Sequence, residues 1–460
     1  MPGLFLGLEM GKRALMTQQL ALTTSGHNVA NAATPGFSRQ RVVISQSNPL
    51  NTTEGNIGTG VSVSGVRQVR DLFLSTQLRA DSGKLARWET SHKALSQVEL
   101  FFNEPGDKGL NQLITDFFNS WENLATNPNA RVTVLEKSKV LVNAFHEQAN
   151  QLADLRESVD ADIKGRTSEI NQLAVQIASL NRQISTAELG GDSANDLRDK
   201  RDLLIDNLSS YASVRTIERS NGTAAVMIGS MSLVDGVDFL QIETKTIQRG
   251  SSTATVAVWE NTNFEIDFAG GEIQALEQMR DSTIPDMQKD LDLLATTIIE
   301  RVNAVHAAGT GAQGSTGINF FDPYRLTAGT MEVNIDVESD PNLIAASITG
   351  EPGDTRNAQA ISELRYQRVL QSGTATINEY YASMVGTLGI RTQEAETLKD
   401  NYNLLVTQLD NARQQVQGVS IDEEVTNMIK YQRAYEAAAR VITFVDSALE
   451  TVISGMGVTR

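Results

Sequence analysis

The chain has 460 residues, with 39 basic against 56 acidic side chains and a formal net charge of −17. That length gives room for roughly three domains, and the acidic balance excludes nucleic acid and an anionic membrane surface as electrostatic partners. With no cysteine, a disulfide framework, a thiolate metal site and a cysteine nucleophile are excluded too.

The first segment reads as a helix. Leu8, Leu15, Leu22 and Val29 recur every seven residues, and Leu4, Gly11, Gln18 and Ser25 fall between them. Such a stripe is a coiled-coil or bundle seam, and it must be buried against something. Its small and polar members make it weak alone, so the ends are expected to order when neighbours supply a lattice. Asn31, Thr34, Pro35, Gly36 and Phe37 close the helix. Pro35 disfavours helical geometry at Thr34, so the helix stops at or before Ala33. Gly36 then takes positive φ in a tight reversal. Beyond it, Arg41–Ile44 and Val61–Val69 predict short strands, punctuated by Gly55, Gly58, Gly60 and Gly65.

The interior predicts helices over Asp71–Phe102, stopped by Asn103-Glu104-Pro105-Gly106, and over Leu110–Leu124. From Arg131 to Leu189 there is no proline and one glycine, Gly165. Leu152, Leu155, Val159, Ile170, Leu173, Ile177, Leu180 and Ile184 keep a helical rhythm that breaks near Arg166. A helix of about 58 residues spans about 87 Å, the length of a rod rather than of a globule's core helix. Gly190-Gly191 is its C-cap. Tyr211–Phe268 is rich in Val, Ile, Thr and Gly, with Thr253–Trp259 as its clearest strand. It reads as a compact β insertion with its own core. Helix returns over Gly271–Ala307, and a glycine-rich loop follows over Gly309–Gly317. An extended stretch over Glu332–Val337 leads to helices over Asn357–Gln371 and Thr374–Val416. In the last segment Ile421, Val425, Met428, Tyr435, Ala439, Ile442, Leu449 and Ile453 form a second stripe, interrupted by Gln432 and Asp446. The simplest partner for each end is the other end, and the next is another copy of the chain. Tyr431 and Tyr435, one turn apart, suit either a buried or a stacked interface position.

Candidate chemistry is sparse. His27, His92, His146 and His306 have no second histidine at metal spacing. The glycine-rich stretches lack the Lys-Ser/Thr ending of a phosphate loop. Asp192–Asp199 lacks the glycine and terminal glutamate of a calcium loop and reads as a helix start capped by Asp192 or Ser193. No catalytic residue, metal or cofactor is assigned. No run approaches the roughly 18 apolar residues of a membrane span, so no membrane insertion is expected. Met1–Phe5 lacks a basic secretory n-region, and Lys12 interrupts the apolar residues that follow.

Two stretches carry a family resemblance. Ser25–Gln40, with its Asn31-Ala32-Ala33-Thr34-Pro35-Gly36-Phe37 core, resembles the N-terminal motif of the bacterial flagellar axial proteins: rod, hook and hook-associated subunits. Ser420–Tyr435 resembles that family's C-terminal motif. The likeness runs inward through Ala187–Gly191 and Asp199-Lys200-Arg201-Asp202. Ser38-Arg39-Gln40 and the long helix are most like the subunits of the hook–filament junction. The resemblance implies a structural subunit outside the cell, exported by the flagellar apparatus without a cleaved signal. Its implied partners are copies of itself in a ring or helical array, the hook protein, the second junction protein, and a cytoplasmic export chaperone at the C-terminal helix. Larger members carry a further outer domain between the positions of Phe321 and Met331, and it is lacking here.

The expected fold is mainly α with an inserted β domain, elongated and nested. Residues 1–37 with 418–460 form a terminal helical domain paired as a coiled coil. Residues 38–209 with 270–417 form a long-helix stalk, and 210–269 a β-rich outer domain. Two function classes stay open. One is the structural junction subunit, with hook, distal-rod or second-junction protein as rivals. The other is an axial protein carrying a hydrolase on its stalk.

Overall fold

The computed structural model describes residues 2–52, 55–102, 109–249 and 252–456. The stop motif expected at residues 103–106 lies outside them. Helix α1 (Pro2–Ala30) leads through the turn to strands β1 (Gln40–Gln46), β2 (Leu50–Thr52), β3 (Gly55–Ile57) and β4 (Val61–Gln68). These form two antiparallel ribbons, β1 with β4 and β2 with β3. Helices α2 (Leu72–Phe102), α3 (Leu110–Thr126), α4 (Arg131–Ala187) and α5 (Asn195–Tyr211) follow. Next come β5 (Val214–Glu218), β6 (Ala224–Ile228), β7 (Met231–Asp235), β8 (Asp238–Phe239), β9 (Ile242–Arg249) and β10 (Ser252–Trp259). β5 to β8 make an antiparallel meander, and β9 pairs with β10. The chain ends in α6 (Gly271–Gln278), α7 (Ile284–Ala308), α8 (Ile335–Ser339), α9 (Arg356–Glu363), α10 (Ile377–Gln417) and α11 (Ile421–Met456). The fold is thus mainly helical with a small β region. Among the described residues, no helix is long and apolar enough to cross a membrane.

Helix α4 is continuous over 57 residues, about 86 Å at 1.5 Å per residue. The break in its rhythm near Arg166 is a change of partner. Up to Ile163 its buried face belongs to a large core with α2, α3, α7, α9 and α10. From Ile170 it belongs to a second core beneath the sheet. Arg166 sits at the handover, paired with Glu169 at 3.0 Å and Glu272 at 2.8 Å, its guanidinium over the Tyr211 ring.

The expectation that the β insertion has its own core is corrected by that second cluster. Val226, Ile228, Leu233, Val234 and Trp259 pack on Ile170, Ala174 and Ile177 of α4 and on Ile205 and Leu208 of α5. Two α4 asparagines also act as strand partners. Asn171 exchanges two bonds of 2.8 Å with the Ile242 backbone. The fully buried Asn181 donates to Ala224 O at 2.8 Å and accepts from Ala224 N at 3.0 Å. Replacing residues 211–268 by a short linker is therefore expected to melt part of the stalk. Uncovering Ile170, Ile177, Ile205 and Leu208 alone forfeits on the order of 6–12 kcal/mol of transfer free energy, at about 1.5–3 kcal/mol per large aliphatic. Hydrogen exchange should show the Ile170–Ala187 end of α4 and α5 losing protection while the α3/α7 core keeps it. Equal protection in both would contradict the shared core.

Other departures have local causes. The helix expected over Gly271–Ala307 contains a π turn at Met279–Thr283. Pro285 lacks an N–H and clashes with the preceding turn, and a wider turn absorbs both. The helix expected to reach Gln371 ends at Glu363. Leu364–Tyr366 is a 3₁₀ turn, Gln371 and Ser372 take positive φ with Gly373, and Leu370 pairs back on Ala375. Only Val333 of the stretch over Glu332–Val337 is extended, bridging Phe321, because Asn334 accepts from Asp336 N and starts α8. Helix α5 is not capped by Asp192 or Ser193. Its N-cap is Ala194, with no side-chain bond, and Ala194 N donates instead to Glu188 at 2.9 Å. Gly191 is left-handed after α4, as expected of a helix end, and Thr376 and Glu379 form a reciprocal capping box at α10.

His306 is a core histidine. It lies edge-on to Trp121 and Phe320, with ring centroids 5.9 and 5.4 Å away. Nδ1 lies 2.7 Å from Ile318 O, and Nε2 accepts from Ala345 N at 2.9 Å. Both bonds form together only in the neutral ring protonated at Nδ1. Burial pulls its pKa from 6.5 down to about 4. The folded value lies below the unfolded one, so its contribution is full above pH 6.5 and is lost as pH falls through 4. A displacement of that size corresponds to about 3 kcal/mol. Urea midpoints should fall between pH 7 and pH 4, and His306→Asn should flatten that decline. An unchanged slope in the variant would exclude His306 as its source.

Candidate assembly interface

The two ends of the chain pack on each other, α1 against α11. The tightest approach is made by small residues. A Cβ on Gly11 would lie 2.7 Å from Ile442 Cγ1, and one on Gly7 would lie 3.4 Å from Val445. Thr17, Ala21, Thr24, Ser25 and Asn28 are buried on α1, and Glu424, Ala438 and Val445 on α11. The apolar stripes flank this line. Leu8, Leu15, Leu22 and Val29 are half-buried, as are Met428, Ala439, Ile442 and Leu449. Ile421, Val425, Tyr435 and Ile453 are exposed, whereas Tyr431 is half-buried. The pair therefore leaves apolar surface uncovered outside its own contact. Phe444 at 74%, Ile453 at 69%, and Phe5 and Met16 at 61% exposure are its extremes.

The turn joins this pair to the body. Asn31 accepts from the Thr34 hydroxyl at 3.2 Å, and its amide donates to His27 O at 3.0 Å. Thr34, Pro35 and Gly36 are exposed, with Gly36 at φ +75°, and half-buried Phe37 stacks edge-on against His27. A side chain at Gly36 would meet Leu203 of α5 at 3.1 Å, so backbone freedom and close approach both require glycine here. Asn28 behaves as a strand partner. Its amide donates to Gln40 O and accepts from Gln40 N, both at 2.9 Å. Arg39 ties the turn to the start of α11, reaching Glu423 and the buried Glu424 at 2.8 Å each, while its N–H donates to Gln417 O at 2.8 Å.

Sequence reasoning placed Gly11 and Ser25 in the stripe but missed that the line of contact runs through them with Thr17, Ala21, Thr24 and Asn28, and it missed these cross-links. The recurrence of small residues at Gly7, Gly11, Ala21, Ser25 and Asn28 was the available signal. Asp199 was read as part of a helix start. In the fold its carboxylate accepts from Ser38 N at 3.0 Å and from the Gln68 amide at 2.8 Å. Burial pushes its pKa up to about 6, against the Ser38 bonds and the nearby Arg70. Among the described residues, no group of three or more acidic or imidazole side chains is arranged to hold a metal.

The family profile described as the flagellar hook-associated protein FlgK helical domain matches residues 95–321. That described as the flagellar basal body rod FlgEFG protein C-terminal matches residues 414–455, the segment holding α11. A solved structure titled as the flagellar hook junction protein FlgK from Burkholderia pseudomallei superposes with a TM-score of 0.66 at 18% identity. The match covers 74% of this chain and all of that one, and supports the fold. Flagellar hook-associated protein 1 of Escherichia coli is 28% identical across 96% of this chain and 98% of its own length. The Bacillus subtilis protein of the same name is 35% identical across 100% of this chain and 99% of its own. At that identity over both full sequences, the chain belongs to the flagellar hook-associated protein 1 family.

Proposed function

We propose that this chain is a structural subunit of the bacterial flagellum that forms the junction between hook and filament. The observation that carries the reading is the pairing of α1 with α11, which unites the two motif-bearing ends and leaves apolar side chains uncovered on their outer faces. A surface of that kind needs neighbours. Head-to-tail contacts between copies generate a ring or an open helical array. In this reading residues 1–37 with 418–460 line the inner tube, 38–209 with 270–417 form the next shell, and 210–269 face outward. The hook protein and the second junction protein contact its two ends. A cytoplasmic chaperone covers α11 before export, and the protein acts outside the cell as scaffold rather than enzyme. Full-length likeness to hook-associated protein 1 favours it over a hook or rod subunit.

Leu15→Asp and Leu22→Asp test the stripe as an interface. Both leucines are half-buried in the single chain, so water still reaches a carboxylate there and the isolated fold tolerates it. Covered by a neighbour, the same unpaired charge costs several kcal/mol. The expected result is loss of swimming with an unchanged melting transition. Normal swimming would exclude this stripe from the interface.

A further inference from the structure

Helix α5 presents one face to four separate parts of the chain, and that face is built of carboxylates. Asp196, Asp199, Asp202 and Asp206 follow at spacings of three and four residues, which keeps them on one side of a helix. Asp196 meets His27 Nε2 at 3.2 Å and the Gln40 amide at 2.7 Å. Asp199 accepts from the Ser38 backbone and from Gln68 of β4. Asp202 pairs with Arg70 just ahead of α2. Asp206 accepts from Arg79 of α2 at 2.6 Å and from Arg413 near the end of α10 at 2.8 Å.

These contacts surround the place where the terminal pair meets the body. Only two covalent links cross there, residues 31–39 and residues 418–420. Neither is helical, so neither by itself fixes the direction of the pair. Beyond α11, α1 packs mainly on β1 and β4. Asp196 and Asp199 hold the end of α1 and the turn through His27 and Ser38, while Gln40, Gln68, Arg70, Arg79 and Arg413 tie the same four carboxylates to the strands and helices of the body. One rigid helix thus grips both sides of the crossing.

We propose that the carboxylate face of α5 is a latch that sets the direction of the α1/α11 pair relative to the long-helix body, with Asp199 as the positioning residue that holds the turn by its backbone. The latch operates in the isolated chain, so its failure and failure of the junction reading are separable. A donor N–H aimed at a fixed acceptor fixes orientation in a way that apolar contact does not. An asparagine at position 199 retains an acceptor oxygen, and a leucine of similar size has none.

The absence of cysteine allows spin labels to be placed at will in the full chain. Labels on Met16 of α1 and Val175 of α4, both exposed, report the angle between pair and body. A second labelled pair on exposed Val140 and Leu404 reports the body alone. The parent chain should give one narrow distance distribution for each pair. Asp199→Leu should widen the first distribution at least twofold and leave the second unchanged, and Asp199→Asn should keep both narrow. If the leucine variant is as narrow as the asparagine one, α5 merely packs there and the latch is refuted. If Asp199→Leu disturbs the body pair, Asp196→Leu decides, since the Asp196 side chain is more than half exposed and, among the described residues, bonds to His27 at the α1 end and Gln40 of β1. Widening of the first distance in that variant supports the latch, and an unchanged width overturns it.

Discussion

Deletion of residues 421–460 should give a chain that folds in its body but cannot assemble. Among the described residues, α11 is the helix against which α1 packs along its length. Without it the line of Gly11, Thr17, Ala21 and Thr24 faces water, and a lone helix of that sort is marginal. Arg39 also loses Glu423 and Glu424, so the turn loses its hold on the C-terminal side. Both hydrophobic cores lie wholly outside the deletion. Limited proteolysis of the purified truncated chain should therefore remove about the first 30–40 residues, as expected of an end without a partner, and then stall at a stable body with an unchanged melting transition. In cells carrying it as the only copy, filament subunits should accumulate in the medium unpolymerised. Filaments of normal length on such cells would contradict the account.

Gly11→Leu should have the second-largest effect, by a different route. A Cβ at position 11 already falls 2.7 Å from Ile442 Cγ1, closer than real carbon contacts allow. Ile442 is branched at Cβ, one bond before that atom, so its χ1 is restricted and Cγ1 cannot simply swing away. Overpacking of this sort costs about 1–3 kcal/mol, and the gain in helix propensity over glycine, up to about 1 kcal/mol, does not offset it. The pair should splay and swimming should fail, again with the body intact. Ile442→Ala combined with Gly11→Ala should restore packing, so the pair of sites should show coupling in a double-mutant cycle. Gly26→Ala is the control, because nothing lies within 4 Å of its added carbon. If Gly11→Leu behaves like Gly26→Ala, the two helices do not meet as described.

The helices were legible because their apolar residues keep a helical rhythm over many turns, α4 above all. The turn was legible from Pro35 and Gly36, and α10, expected from Thr374, begins at Ile377 behind a capping box that the periodicity did not show. The phase of the terminal pair was not. A strict seven-residue stripe drifts about 20° per heptad on a straight helix, so leucines that look like the seam stand beside it, and small residues take the line of contact. The partners of the α5 carboxylates were not legible, because their donors lie far away in sequence, at positions 38, 68, 79 and 413. The shared core under the sheet was hidden for the same reason. Ile170 and Ile177 have the same spacing whether they face a helix or a strand, and Asn171 and Asn181 carry no local sign that they will complete a sheet edge.

The most direct measurement is where the protein sits. Gold-labelled antibody raised against the β5–β8 meander should mark flagella of the source organism at one point, the distal end of the hook, where the filament begins. Hook–basal bodies purified from a strain lacking the filament subunit should keep that label. Label along the whole hook, along the filament, or absent from both would contradict assignment of this chain to the junction.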